Sequence, residues 1–271
     1  MASNVNLWPR ALGRRPARGA LLALVCTLIT LWRCHPSARL IVALNRDEFK
    51  SRPTAPVSLW ADEGEAPPIV AGKDLRAGGT WFGVGRRVVA GLTNQRHATG
   101  RAFPGERSRG ELVVRALRAE SVGQVAADLC ALPAHAYGSF HLVAADADQM
   151  IWCTNRSQVW EIYPTEPGLH VLGNDGLDEE RDAVVANLRR ELHGAEALEP
   201  APLLERLKGL LARGGEGWPC VDLGLYGTRS SAILWWGCRR ARLWTTDGPP
   251  DNAEWIDQSS LLTALPIEAG V

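Results

Sequence analysis

The sequence predicts an α+β fold in which two mainly antiparallel sheets carry helices on their outer sides. Three observations support that class. Short β-branched runs come first, a helical pair follows, and then strands, helices and strands again, so the elements are grouped rather than alternating. No β-α repeat is present, and Gly78-Gly79-Thr80-Trp81-Phe82-Gly83, which lacks a following Lys-Ser or Lys-Thr pair, reads as a turn rather than a phosphate loop. With 271 residues, 46% hydrophobic and 22% charged, the chain is long enough for a sizeable core and globular in composition.

Residues 26–32 and 40–44 are apolar, β-branched runs separated by His35-Pro36-Ser37. They predict a hairpin whose second strand ends at Asn45-Arg46-Asp47-Glu48. Residues 52–68 are Pro-rich and read as loop. Strands are expected at 69–71 and within 81–92, around the Gly78-Gly79 turn. Ser108 followed by Glu111 has capping-box spacing, and Leu112, Val113, Ala116 and Leu117 give the helix they open one apolar face. A second helix is expected over 122–132. Residues 140–145, 150–154 and 159–163 read as strands of the second sheet, 178–192 and 203–211 as amphipathic helices, and 231–236 with 241–245 as a closing hairpin. Adjacent Trp235 and Trp236 then put one ring on each face of a sheet. No repeat or linker divides residues 26–271, which read as a single domain.

Thirty basic and 30 acidic side chains cancel, and a pI near 7.0 argues against nucleic acid as a partner. The balance is uneven. Residues 1–25 hold Arg10, Arg14, Arg15 and Arg18 and no acid, leaving a net −4 on residues 26–271. This basic start and the apolar run 20–32 resemble a secretory signal, but Thr27 and Thr30 interrupt the run and it is too short to span a membrane as a helix. Stable membrane insertion is not expected, and residues 1–25 are read as a mis-annotated or cleaved extension. Only Lys50, Lys73 and Lys208 stand against 27 arginines, a bias that fits a GC-rich genome.

Cys26, Cys34, Cys130, Cys153, Cys220 and Cys238 form no C-x-x-C pair, which predicts reduced thiols and a cytoplasmic location. The histidines show no H-x-x-x-H spacing, so no metal site is predicted. The 11 tryptophans read as core and interface packing. Gly-x-Ser-x-Gly is absent, so a serine-hydrolase elbow is not supported. Cys26 opens the first strand of the hairpin and Asp47 closes the second, so a thiol and a carboxylate are expected to meet at one sheet edge. Alternation gives Asn45 and Asp47 one face and Arg46 and Glu48 the other.

Cys26-Thr27-Leu28-Ile29, Asn45-Arg46-Asp47-Glu48-Phe49, Arg52-Pro53-Thr54-Ala55-Pro56, Gly72-Lys73-Asp74-Leu75-Arg76-Ala77-Gly78-Gly79-Thr80-Trp81, Leu92-Thr93-Asn94, Ser108-Arg109-Gly110-Glu111-Leu112 and Gly227-Thr228-Arg229-Ser230-Ser231 resemble the ordered motifs of the NRDE family, also called the transport and Golgi organisation protein two family. The resemblance implies a four-layer αββα N-terminal-nucleophile (Ntn) hydrolase-like sandwich. The family usually starts Met-Cys. Val25 stands where that Met would be, so translation is expected to begin at codon 25, with Met removal exposing Cys26.

An N-terminal cysteine carries its own base, because its α-amine, with an ordinary pKa of about 7.7–8.0, can take the thiol proton. With residues 1–25 attached that nitrogen is an amide and the base is lost. Asp47 is suited to hold the ammonium. Resemblance to cholylglycine-hydrolase-like enzymes implies Asn94 as an oxyanion donor, Asn174 as a second amide near the nucleophile and Arg229 as an orienting cation. Those enzymes carry an Arg three residues before the Asp, where this chain has Leu44. Arg46 is the candidate substitute, although alternation is expected to point it away. The plainer readings also stand: Cys26 as a buried thiol, Asn94 and Asn174 as turn residues, Arg229 as an ion-pair partner.

The expected activity is cleavage of a small-molecule amide, or a thioester, through an acyl-Cys26 intermediate, with no required cofactor. The alternative, which the family resemblance also implies, is a non-catalytic protein that handles haem or lipid. No C-x-x-C-H motif is present, so haem would bind non-covalently.

Overall fold

The computed structural model describes residues 26–61, 66–95, 105–237 and 240–265. The expectations for residues 1–25 and the thiol of Cys238 lie outside them. Among the described residues, thirteen strands form two sheets. The first contains β1 (Thr27–His35), β2 (Ala38–Phe49), β10 (Gly168–Leu172), β11 (Tyr226–Gly237), β12 (Ala241–Thr246) and β13 (Ile256–Asp257), in the order β10-β1-β2-β11-β12-β13. The second runs β3 (Thr54–Trp60), β4 (Ile69–Asp74), β5 (Phe82–Val84), β6 (Val89–Asn94), β7 (Phe140–Ala145), β8 (Met150–Thr154) and β9 (Glu161–Pro164) in sequence order. Every pairing between neighbouring strands is antiparallel.

Period-2 alternation divides the apolar residues into three cores and so builds the layers. Leu28, Leu40, Val42, Leu44 and Trp236 of the first sheet meet Val70, Phe82, Val89 and Val143 of the second. The other face of the second sheet packs through Ala90, Leu142 and Ala144 on α1 (Gly110–Leu117) and α2 (Val122–Cys130). The outer face of the first sheet packs through Ile29, Ile41, Ala43 and Trp235 on α3 (Ala183–Glu191) and α4 (Pro200–Leu211). The result is the αββα order, with Trp235 and Trp236 on opposite faces as alternation requires. Each fully buried Leu contributes about 1.5–3 kcal/mol of transfer free energy.

Several boundaries differ from the sequence reading. The stretch read as loop holds β3, whose Pro56 is tolerated because this is an edge strand with a register shift between Ala55 and Ser58. β2 runs on through Asn45–Phe49 because β11 pairs with it there, Tyr226 opposite Phe49. Ser108 and Glu111 do not form a capping box. Arg109 is the N-cap of α1, and the Glu111 carboxylate instead accepts from Tyr137 Oη at 2.6 Å and pairs with Arg107. α3 begins at Ala183, with Asp182 accepting from Val184 N, because Asp178 turns at φ 57° to meet His170 at 2.7 Å. β10 was not foreseen as a strand.

Candidate active site

The β1–β2 register places the site. Thr27 lies opposite Asn45, so Cys26 comes against the end of β2, and its Sγ is 3.6 Å from the Asp47 carbonyl oxygen. Both strands are interior to the sheet, so the residues meet at strand ends rather than at a lateral edge. Cys26, Arg46, Asp47, Glu48, Trp81 and Asn94 are among the residues lining a cavity of about 90 Å³ at this point.

The two faces of β2 differ in chemistry. On the helix side Asn45 donates to the carbonyls of Leu211 at 2.8 Å and Pro219 at 3.0 Å and accepts from Ser231 Oγ at 2.6 Å. It ties the end of α4 to the sheet, and its hydrogen-bonding capacity is well used. Asp47 Oδ1 accepts from Thr228 Oγ1 at 2.6 Å, whereas the buried Oδ2 has no partner among the described residues. Burial pushes this carboxyl up to about 8 despite the Thr228 bond and the Arg46 charge. Burial, reinforced by Asp47, likewise pushes the Cys26 thiol up to about 11, while the Asn94 backbone N–H and the Arg46 charge favour the thiolate.

On the inter-sheet side Arg46 lies 4.3 Å over the Trp81 ring and 3.8 Å from Glu48. The expectation that alternation points Arg46 away is corrected. Arg46 shares the cavity with Cys26, and it is the Asp47 carboxylate that goes to the opposite face. Arg52 pairs with Asp74 at 2.6 Å and Glu48 at 3.6 Å. The Gly78-Gly79 turn, with Gly78 at φ 74°, sets Trp81 and α1 in place: a Cβ on Gly79 would stand 2.5 Å from the Gly110 carbonyl carbon. That close approach brings Arg109 to the cavity wall, where its Nη1 donates to Ser139 O at 3.1 Å.

A family profile described as Transport and Golgi organisation 2 matches residues 25–214. The chain belongs to the Transport and Golgi organisation 2 family. Its similarity to curated members of that family is moderate. The mouse (Mus musculus) homolog is 30% identical over 232 residues, 72% of this chain and 81% of the relative. The Homo sapiens homolog is 30% identical over 234 residues with the same coverage. The fold is similar to that of conjugated bile acid hydrolase from Clostridium perfringens, an Ntn-hydrolase-like sandwich. A cysteine-to-alanine mutant of it superposes with a TM-score of 0.58 at 8% identity, covering 87% of this chain and 93% of that one. An arginine-to-leucine variant gives 0.54 at 9% identity over the same shares. At that identity the likeness is one of fold alone.

Within this Transport and Golgi organisation 2 chain the remaining expected residues divide. Asn94 lines the Cys26 cavity. Asn174 does not; its Nδ2 donates to Asn94 O, which makes it a support behind the wall. Arg229 is also absent from that wall. It falls at the register shift between Thr228 and Ser230 and lines a second cavity of about 50 Å³, with Trp81 standing between the two. Trp81, Arg52 and Arg109 were not singled out from the sequence as site residues. The signal was present, since all lie in the motif segments that carry the family resemblance. The described residues hold no group of three or more His, Cys, Asp or Glu placed for a metal ion, and none of their helices is long and apolar enough to cross a membrane.

Proposed function

We propose that this chain is a cysteine Ntn hydrolase cleaving an amide, or a thioester, through an acyl-Cys26 intermediate. The observation that carries the reading is the thiol of Cys26 lining a polar cavity at the head of β1, against Asp47 and beside the Asn94 N–H. A thiol held near 11 is protonated at neutral pH and needs a base. With Cys26 as the first residue, its α-amine takes the proton, and the unpartnered Asp47 Oδ2 is the natural counter-charge for the resulting ammonium. The thiolate attacks the carbonyl carbon, the C=O pair moves to oxygen, and the Asn94 N–H lies near to receive it. The oxyanion then collapses, the C–N bond breaks and the amine leaves with the ammonium proton. Water attacks the thioester, returning thiol and carboxylic acid.

The reading requires release of residues 1–25, and the family match beginning at residue 25 supports a mature start at Cys26. Bile acid hydrolase is named as a hydrolase and was solved with a cysteine replaced by alanine, which fits a cysteine mechanism on this fold. N-terminal mass spectrometry of protein made from its own gene should find Cys26 first, and Cys26→Ala should abolish acyl labelling with the fold intact. A mature start at Ala2, or labelling that survives Cys26→Ala, defeats the proposal. The five described cysteines are all unpaired.

One observation favours a non-catalytic carrier instead. A groove of about 510 Å³ between α4 and the β11–β12 hairpin presents Trp235 and Trp244 beside Arg240 and Arg242, suited to an acyl chain with an acidic head. Its described lining offers no His, Cys or Met to ligate haem iron, so lipid fits it better than haem. Lipid co-purifying with Cys26→Ala protein and lost on Trp235→Ala would support the carrier reading.

A further inference from the structure

The charged groups around Cys26 carry information about the substrate. Three guanidinium groups, those of Arg46, Arg52 and Arg109, line the cavity. The carboxylates available to them there are Glu48, shared by Arg46 and Arg52, and Asp74, held by Arg52 through Nε at 3.0 Å and Nη2 at 2.6 Å. Asp47 adds no net charge to this balance. Its carboxyl lies on the other face of β2, where it is either protonated or matched by the Cys26 ammonium. One cation is therefore left in surplus beside the thiol.

The surplus sits at the Arg46 end. Arg46 is only 6% exposed, Trp81 fixes its plane, and its Nη1 has no acceptor among the described residues. A buried guanidinium N–H without an acceptor is costly, and a planar carboxylate is the group whose geometry matches it. Arg109, at the head of α1, spends Nη1 on the Ser139 carbonyl, and the carboxylate whose charge reaches it is Glu48, which Arg46 and Arg52 already share. The cavity, at about 90 Å³, admits a short group rather than a bulky one.

We propose that the Cys26 cavity selects substrates carrying one carboxylate close to the scissile carbonyl, held by Arg46 with Arg109, so that the favoured acyl group is a short acidic one. The inference rests on Cys26 being the nucleophile, and the test separates the two claims. Iodoacetate and iodoacetamide differ in little but charge. With either, the Cys26 sulfur forms an S–C bond as the C–I bond breaks, iodide leaves with the bonding pair and the thiol proton passes to solvent. The rates are measured by peptide mass mapping on protein made from its own gene whose N-terminus is Cys26, with exposed Cys130 as the internal control.

Cys26 should react about tenfold faster with iodoacetate than with iodoacetamide, while Cys130 prefers the neutral reagent. Sodium propionate, but not propionamide, should protect Cys26. Arg46→Gln and Arg109→Gln should each shift the Cys26 ratio toward that of Cys130, and Arg46→Lys should retain most of the preference. If an arginine variant does not fold, the propionate protection on the unmodified chain decides alone. A Cys26 that is alkylated with the same preference as Cys130, unprotected by propionate, overturns the carboxylate subsite and leaves the nucleophile standing. A Cys26 that neither reagent modifies, while Cys130 reacts, overturns both.

Discussion

Cys26 and Asp47 are two buried titratable groups whose ordinary behaviour is suppressed by the same cause, the loss of water. With Cys26 internal to the chain, a thiol near 11 leaves a thiolate fraction of about 10⁻⁴ at pH 7, so its alkylation should rise close to tenfold per pH unit up to about pH 11. A protein that begins at Cys26 should break that line, reacting fast near neutrality where the α-amine accepts the proton. Asp47 gives a second pH signature. Its folded pKa, about 8, lies above the unfolded value, so its contribution to stability is complete below about pH 4 and is lost as the pH rises toward 8. His141, whose imidazole burial holds down to about 4, works in the opposite sense up to about pH 6.5, so thermal melts of the full chain should fall from about pH 6.5 to 8, and Asp47→Asn should flatten that slope. Both residues were legible in the sequence because the start of one hairpin strand must approach the end of the next. The direction of Arg46 was not, since it depends on the parity of Cys26 relative to β2, which only the register Thr27 opposite Asn45 settles. Arg229 was misplaced for a related reason. An irregularity in strand pairing has no periodic signature, and one residue of slip sends a side chain elsewhere.

Among the elements, β2 joins the scaffold to the chemistry. Asn45 feeds two carbonyls from α4 and the following loop, and Asn45→Ala would orphan both, at about 1–3 kcal/mol each. Urea unfolding should show that loss, together with slower Cys26 alkylation if the strand end loosens. The turn before Trp81 is as exacting. Gly79→Ala drives a methyl into the backbone of Gly110, so α1 must withdraw and take Arg109 with it. The expected result is a lower melting temperature and loss of the iodoacetate preference at Cys26. Strong alternation made β1, β7, β8 and the core of β11 readable, and the apolar face of α1 was likewise plain. β3 was hidden by Pro56 and the prolines that flank it, because an edge strand tolerates residues that a central strand excludes. The start of α3 was overcalled because Asp178 continues the helical pattern while its carboxylate serves His170 and Val171 N.

For the molecule as a whole, grouped strands and helices sufficed to predict two sheets with helices outside, since each apolar face must find a partner layer. What composition could not reveal is how the sheets are fastened at the site end. There Thr93 Oγ1 donates to Gly173 O at 3.2 Å and His141 Nε2 contacts Asn174 O at 3.2 Å, so the end of β10 is buckled to β6 and β7 of the other sheet. Burial holds the His141 imidazole down to about 4, so the neutral ring belongs to the fold. Its contribution is complete above the unfolded value of about 6.5 and is lost as the pH falls toward 4. Hydrogen exchange should find the amides of β10 and β6 losing protection together over that range, and uniform protection down to pH 4 would refute the buckle.

Trp81 is a partition as well as a platform for Arg46. Its indole separates the space around Cys26 from the space around Arg229. Cutting it back to Ala would open a passage between the two sheets, from the head of β1 to the β11 irregularity, and would make Arg229 reachable from the thiol. A single side chain thus decides whether this molecule keeps two separate pockets or one passage with an arginine at either end.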